Sequence, residues 1–377
     1  SDPDNKVDEY DLGGLYNLLG LLYKAQNRSE KAEEYHLAVI EIYECLVKEN
    51  ADAYEPALAG IYNNAGIFYS DQGQSDKAEK YYLAAIEIYE RLVKKNADAY
   101  ELDLAGSYNN AGVFYNDQGQ PDKAEKYHLA AIEIGERLVK KNATAYEPDL
   151  ADSYNNAGIF YYEQGRLEKS EKYILAAIEI YECLVEKNAD AYEPDLARSY
   201  NNAGVFYNDH GQPEKAEKYY LTAIEIYERL AEKNAAAYEP ALARSYNNAG
   251  VFYDDQNQPD KAEKYYLAAI GIRERLVEKN EDAYEPDLAT SYNNAGLFYK
   301  DQGQSEKAEK YYLDAIEIYK RLVEKNADAY EPDLASSYFN YCFLKKDETY
   351  LIKAYEIAKR RQDDPRCRDI VEFVESM

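Results

Sequence analysis

Residues 54–99 read YEPALAGIYNNAGIFYSDQGQSDKAEKYYLAAIEIYERLVKKNADA, and the same text returns with small changes along nearly the whole chain. The opening tyrosine recurs at Tyr100, Tyr146, Tyr192, Tyr238, Tyr284 and Tyr330, each 46 residues after the last. A fixed period of this length marks an array of supersecondary units, so it decides the architecture before any single residue is discussed.

Two helical patterns fill each unit. Leu58, Tyr62, Ala65 and Tyr69 fall at i, i+4, i+7 and i+11, which predicts a helix from Pro56 to about Asp71, with Pro56 in its opening turn. Gln72-Gly73-Gln74 breaks the pattern, and Ser75 is expected to cap the next helix. That second helix buries Ala78, Tyr82, Ala85, Tyr89 and Leu92. Asn96 closes it, in an expected left-handed cap conformation. On its outer side, Glu87 with Arg91 and Glu90 with Lys94 are expected as i,i+4 pairs. One unit buries too little apolar surface to offset the entropy of ordering its chain, so the array is the folding unit.

The pattern Tyr62-x-x-Ala65-Gly66-x-x-Tyr69, followed by Ala78-x-x-x-Tyr82 and Ala85, resembles the tetratricopeptide repeat. The period is longer than the usual ~34 residues, and Glu90 stands where a helix-ending proline is usual; both lengthen the second helix. In this the chain is similar to the long-helix repeats of the kinesin light chain type. The resemblance implies an all-α, right-handed superhelical solenoid of helix-turn-helix repeats. Its units are 8–53, 54–99, 100–145, 146–191, 192–237, 238–283 and 284–329. Residues 1–7 are expected to be disordered. Residues 330–377 read as a degenerate eighth repeat and a capping helix, with Cys342 in the Gly66 slot, Ala354 in the Ala78 slot and Arg361 in the Ala85 slot.

The chain has 377 residues and a formal net charge of −28. That balance argues against nucleic acid and anionic membrane as partners, since both demand a basic face. No apolar run approaches a membrane span, and no signal peptide is recognisable, so a cytoplasmic location is expected. Four cysteines form no framework. Cys45 and Cys183 take the slot of Arg91 and are expected as accessible, reduced thiols, and Cys342 with Cys367 lacks metal-ligand spacing.

No catalytic constellation is found, so no enzymatic activity, cofactor or metal is expected. His36 and His128 replace Tyr82, and His210 replaces Gln72, as core or turn substitutions. The informative surface is the other face of the first helix, which the resemblance makes the concave, peptide-binding groove. Asn63, Asn109, Asn155, Asn201, Asn247 and Asn293 form one ladder on it. Asn64, Asn110, Asn156, Asn202, Asn248 and Asn294 form a second. Two readings stand for these amides: pairing with a ligand backbone, or stapling adjacent repeats. An apolar line runs beside them: Leu21, Ile67, Val113, Ile159, Val205, Val251 and Leu297. Next comes an acidic line of Asp71, Asp117, Glu163, Asp209, Asp255 and Asp301, set against the helix dipole. Arg198 and Arg244, in the Gly60 slot, are the basic exception. The expected function is a non-enzymatic scaffold that binds an extended protein segment, basic or mixed apolar-basic in character. The alternative is the sensor or scaffold part of a larger signalling chain.

Overall fold

The computed structural model describes residues 3–26, 28–362 and 364–376, and every regular element among them is an α-helix. There are seventeen: α1 (Pro3–Ala25), α2 (Ser29–Glu49), α3 (Ala51–Asp71), α4 (Ser75–Lys95), α5 (Ala97–Asp117), α6 (Pro121–Lys141), α7 (Ala143–Glu163), α8 (Leu167–Lys187), α9 (Ala189–Asp209), α10 (Pro213–Lys233), α11 (Ala235–Asp255), α12 (Pro259–Lys279), α13 (Glu281–Asp301), α14 (Ser305–Lys325), α15 (Ala327–Lys345), α16 (Glu348–Arg360) and α17 (Pro365–Glu375). The backbone is helical from Pro3, where disorder was expected over residues 1–7; residues 1 and 2 lie outside the described residues. The chain divides into two compact units, Ser1–Phe206 and Tyr207–Met377. Within each, helices pair as hairpins and each hairpin packs on the next.

The turn inside a hairpin is a Schellman motif. Gln74 N–H donates to Tyr69 O at 2.9 Å, and Gly73 N–H donates to Ser70 O at 2.9 Å. Gly73 sits at φ +70°, a left-handed conformation that glycine adopts without a Cβ penalty. Asn257 takes the same conformation in the α11–α12 turn, at φ 52°. Ser75 is the first helical residue and not the cap; Gln74 holds the cap position without a side-chain bond.

The join between hairpins is a single residue. Asn96 lies at φ −152°, ψ 92°, extended and not left-handed. Its backbone N–H closes α4 on Leu92 O, while its Oδ1 accepts from Ala99 N–H at 3.3 Å. One asparagine thus ends one helix and caps the next. The first helix therefore starts at Ala51 rather than Pro56, and Pro56 lies inside it.

Alanines set the spacing of the core: Ala59, Ala65, Ala78 and Ala85 are fully buried, with Phe68, Tyr69 and Tyr82 around them. Gly66 belongs to the same contact, since a Cβ there meets the Tyr82 ring at 2.8 Å. Carboxylates fasten neighbouring hairpins. Tyr62 Oη donates to Glu44 at 2.7 Å, and Tyr69 Oη and Lys77 Nζ both reach Glu33, at 3.1 and 3.0 Å. Tyr81 stacks on Tyr69 at 5.5 Å, and Lys77 stands over the Tyr69 ring at 4.7 Å. Within a hairpin, Arg91 reaches Glu55 at 2.7 Å and Lys95 reaches Asp52 at 2.8 Å. The expected Glu87–Arg91 and Glu90–Lys94 pairs give way to these longer-range partners, because Glu90 accepts from Tyr108 Oη at 2.7 Å.

The last hairpin keeps this chemistry with different residues. Lys345, in the Tyr69 slot, binds Glu309 at 2.9 Å, the counterpart of Glu33. Arg360 and Arg361 hold Glu331 at 2.8 and 2.6 Å, as Arg91 holds Glu55 elsewhere. Ala354 is fully buried. This end is not wholly polar, since Phe343 and Phe373 are exposed.

Candidate functional site

Both asparagine ladders lie on the first helices, and the structure joins them to each other. Asn110 Nδ2 donates to Asn63 Oδ1 at 3.4 Å, Asn202 to Asn155 at 3.1 Å, and Asn294 to Asn247 at 3.2 Å. These bonds link one hairpin to the next, so Asn63, Asn110, Asn155, Asn202, Asn247 and Asn294 act as staples in this arrangement. Asn155 is fully buried. Between the bonded pairs the ladder leaves acceptors over: the Oδ1 atoms of Asn17, Asn109, Asn201 and Asn293 are buried without a hydrogen-bond partner. Asn64, Asn156 and Asn248 are half-buried.

The apolar line remains on the surface, with Leu21, Val113, Val251 and Leu297 all exposed. The acidic line is tied from one repeat to the next by the residue that precedes the acidic slot in sequence. Lys24 pairs with Asp71 at 2.7 Å, Asn116 donates to Glu163, and Asn208 donates to Asp255 at 2.9 Å. Asp301 has Lys300 at 3.5 Å. Asp117 stands between Asp71 and Glu163 on the first unit's face. Although Asp117 is exposed at the surface, desolvation by the surrounding chain and the two flanking carboxylates push its pKa up to about 6. Asp254, beside Asp255 and Asp301, is raised for the same reasons.

The two arginines differ from the sequence expectation. Arg198 is tied to Asp152 at 2.6 Å and to Asp195 at 2.9 Å, and Tyr181 Oη also donates to Asp152 at 2.7 Å. Its charge is already compensated. Arg244, in the second unit, is exposed and without an ion-pair partner among the described residues. Behind it, Arg273 is buried and donates to the backbone oxygen of Asp287 at 2.9 Å and to Ser291 Oγ. Burial lowers the Arg273 pKa against the pull of Asp287, and Arg244 lowers it further.

His36 and His128 are buried against Phe68 and Phe160, and burial depresses both pKa values to about 4. Cys45 and Cys183 are exposed, whereas Cys342 and Cys367 are buried. Among the described residues, no group of three or more His, Cys, Asp or Glu is placed to hold a metal ion. None of their helices is long and apolar enough to cross a membrane.

Two surface features escaped the sequence reading. An exposed leucine recurs on every complete second helix, from Leu37 through Leu83 to Leu313. Its signal was the 46-residue spacing itself, hidden because an isolated surface leucine is ordinary. The other is a cavity of about 120 Å³ beside Gly135, lined by Gly106, Asn109 and Asn110 of α5 and by Asp149 and Asp152 of α7. The lone glycine in AAIEIGERL, at a position where five other repeats carry tyrosine and one carries arginine, was the sign of it.

Tetratricopeptide repeat profiles match residues 103–182, 149–229 and 195–275, and a second set matches 13–50, 58–96 and 288–326. The chain is a tetratricopeptide repeat protein. Both helices of each complete internal repeat have 21 residues, where the sequence reading lengthened the second helix only. No curated protein matches the chain. Among solved structures, BtubC (BKLC) from P. vanneervenii is 24% identical, with a TM-score of 0.53 over 66% of this chain and 92% of that one. Aspartyl phosphate phosphatase F from Bacillus subtilis is 17% identical, with a TM-score of 0.56 over 93% and 95%. The Rap conjugation gene regulator of plasmid pLS20, solved with the Phr* peptide, is 16% identical, with a TM-score of 0.54 over 86% and 79%. These likenesses establish the fold. Tetratricopeptide repeat proteins are interaction scaffolds, and no enzymatic family is indicated.

Proposed function

We propose that the exposed face of the first helices binds an extended protein segment carrying alternating basic and apolar side chains, without catalysis. One observation carries this reading: like charges are held together on a partly desolvated strip beside an exposed aliphatic line. Asp117, between Asp71 and Glu163, has its carboxyl pushed up to about 6 by desolvation and by those neighbours. A lysine or arginine placed there relieves the repulsion, and Val113 with Ile159 receives the apolar side chains between. The amides of Asn64, Asn156 and Asn248 are available for a peptide backbone, while the bonded amides fix the spacing. The pLS20 regulator, of like fold, was solved with a peptide, which supports the class of partner. In the second unit, Arg244 with Arg273 behind it favours a carboxylate from a side chain or chain terminus.

A peptide-array screen of the full chain tests this. Basic-apolar segments are expected to dominate the binders, with binding weakened by salt. Arg244→Glu is expected to remove those binders that carry a carboxylate. Selection of acidic segments by the unmodified protein, unchanged by Arg244→Glu, contradicts the reading.

A further inference from the structure

Gly135 of α6 stands where α2, α4, α8, α10 and α14 carry Tyr43, Tyr89, Tyr181, Tyr227 and Tyr319, and where α12 carries Arg273. Those side chains fill the space between their hairpin and the next first helix. Tyr89 and Tyr181 are 6% and 1% exposed, and each aims its hydroxyl at a backbone oxygen of the first helix, Pro56 O at 3.4 Å and Pro148 O at 3.5 Å. Tyr181 also donates to Asp152. Glycine leaves that space open, and a cavity of about 120 Å³ remains, comparable with the ~150 Å³ engineered cavities that take up benzene.

Its walls have two characters. Leu102, Ala105, Leu138 and Tyr146 are apolar, whereas Asn109 and Asp149 offer oxygen acceptors. Asn109 Oδ1 is buried with no partner of its own. The counterparts of Asp149 and Ser153 in the second unit, Asp287 and Ser291, accept hydrogen bonds from Arg273, whereas here Ser153 Oγ donates to Asp149 O at 3.0 Å and Asn109 Oδ1 is left as the unpaired acceptor.

We propose that the cavity at Gly135 binds a phenol ring, seated where Tyr89 and Tyr181 place theirs, with its hydroxyl donating to Asn109 Oδ1, the unpaired acceptor of this wall. The ring comes from a tyrosine of a bound segment or from a free phenolic molecule. The first source rests on the peptide-binding reading above; the cavity itself does not. A ring is favoured over a guanidinium because the apolar walls match it and five of the other slots hold tyrosine.

The probe is p-cresol, the tyrosine side chain itself, titrated against the full chain by NMR and calorimetry, with toluene as the ring lacking a hydroxyl. One saturable site is expected, with p-cresol held about fivefold more tightly than toluene. Gly135→Tyr supplies its own ring and is expected to lose both ligands. Because Leu150 Cδ1 lies 3.0 Å from the Cβ this adds, a second variant is read beside it. Asn109→Leu keeps the glycine, and in it p-cresol loses its advantage over toluene. A further arm compares a tyrosine-bearing basic peptide with its Phe and Arg forms. Tighter binding of the tyrosine form, in competition with p-cresol, assigns the ring to a partner. Binding of p-cresol with no peptide competition assigns it to a free phenol and sets the peptide reading aside for this repeat. Absence of a saturable p-cresol site, undiminished binding to a folded Gly135→Tyr protein, or preference for the Arg peptide overturns the proposal.

Discussion

Asn202 donates its side-chain amide to Asn155 Oδ1 across 3.1 Å, so two residues of the expected ligand ladders hold neighbouring hairpins of one unit together. Removing the donor leaves a buried amide unpaired. Asn202→Ala is therefore expected to cost about 1–2 kcal/mol of stability. Asn156→Ala, which breaks no side-chain bond among the described residues, is expected to stay within about 0.5 kcal/mol. Urea denaturation of both variants checks the contrast, and equal losses contradict the staple.

The carboxylate of Glu285 is 1% exposed in its side chain and is held by Arg321. Among the described residues, Arg321→Ala leaves that charge only Lys325, 3.9 Å from its other oxygen, at an expected cost of about 2 kcal/mol. The fourth repeat runs the experiment in reverse. Cys183 occupies the arginine slot there, and Lys187 serves Glu147 alone at 3.3 Å. Cys183→Arg is expected to add about 0.5–1 kcal/mol, read as a raised denaturation midpoint. A loss on Cys183→Arg contradicts the role given to the slot.

Acid sensitivity is expected from the histidines in tyrosine slots. His128 is held at about 4 by burial, against an ordinary imidazole value of 6.5. Its folded pKa is depressed, so the unfolded chain binds more protons between those values. Stability is full above 6.5 and is lost as pH falls toward 4. His36, shifted by burial and by Lys24, adds to the same window. Tyrosine fits these sites, since Gly112 approaches His128 as Gly66 approaches Tyr82. Relative to the unmodified protein, His128→Tyr is expected to gain about 2 kcal/mol between pH 8 and pH 5. Parallel stability curves for the two proteins contradict the assignment.

Asp117 behaves in the opposite sense. Its folded pKa is raised to about 6 from 3.8, so the folded state takes up a proton first and stability rises as pH falls through 6. Asp117→Asn is expected to be the more stable protein at pH 7, with the gap closing by about pH 4. A gap that widens in acid contradicts the charge crowding.

Much of this was legible because a repeat states each rule several times. The 46-residue period, the paired helices, the Tyr62–Tyr69 stripe and the break at Gly73 all follow from local pattern. What the pattern hid was the choice of partner. Asn96 reads as a helix stop, yet its side chain caps the following helix, and Asn50 does the same for α3, whose start thereby lies upstream of Pro56. Arg91 reads as an i,i+4 partner of Glu87, but the nearby first helix offers the more buried Glu55. Arg198 reads as a free cation because Asp152 is one repeat away in sequence and 2.6 Å away in space. Each miss is a contact between helices, which spacing along one helix does not encode.

The most direct measurement is calorimetry of a lysine–leucine alternating peptide, and its glutamate counterpart, with the unmodified protein and with Asp117→Asn/Glu163→Gln. The basic peptide is predicted to bind the unmodified protein in a salt-sensitive manner and to lose about tenfold in affinity for the double variant, which remains folded. The glutamate peptide is predicted not to bind the first unit's face. Equal affinity of the basic peptide for both proteins, together with loss of binding on changing Leu83 and Leu129 to glutamate, would contradict the account and move the working surface to the second helices.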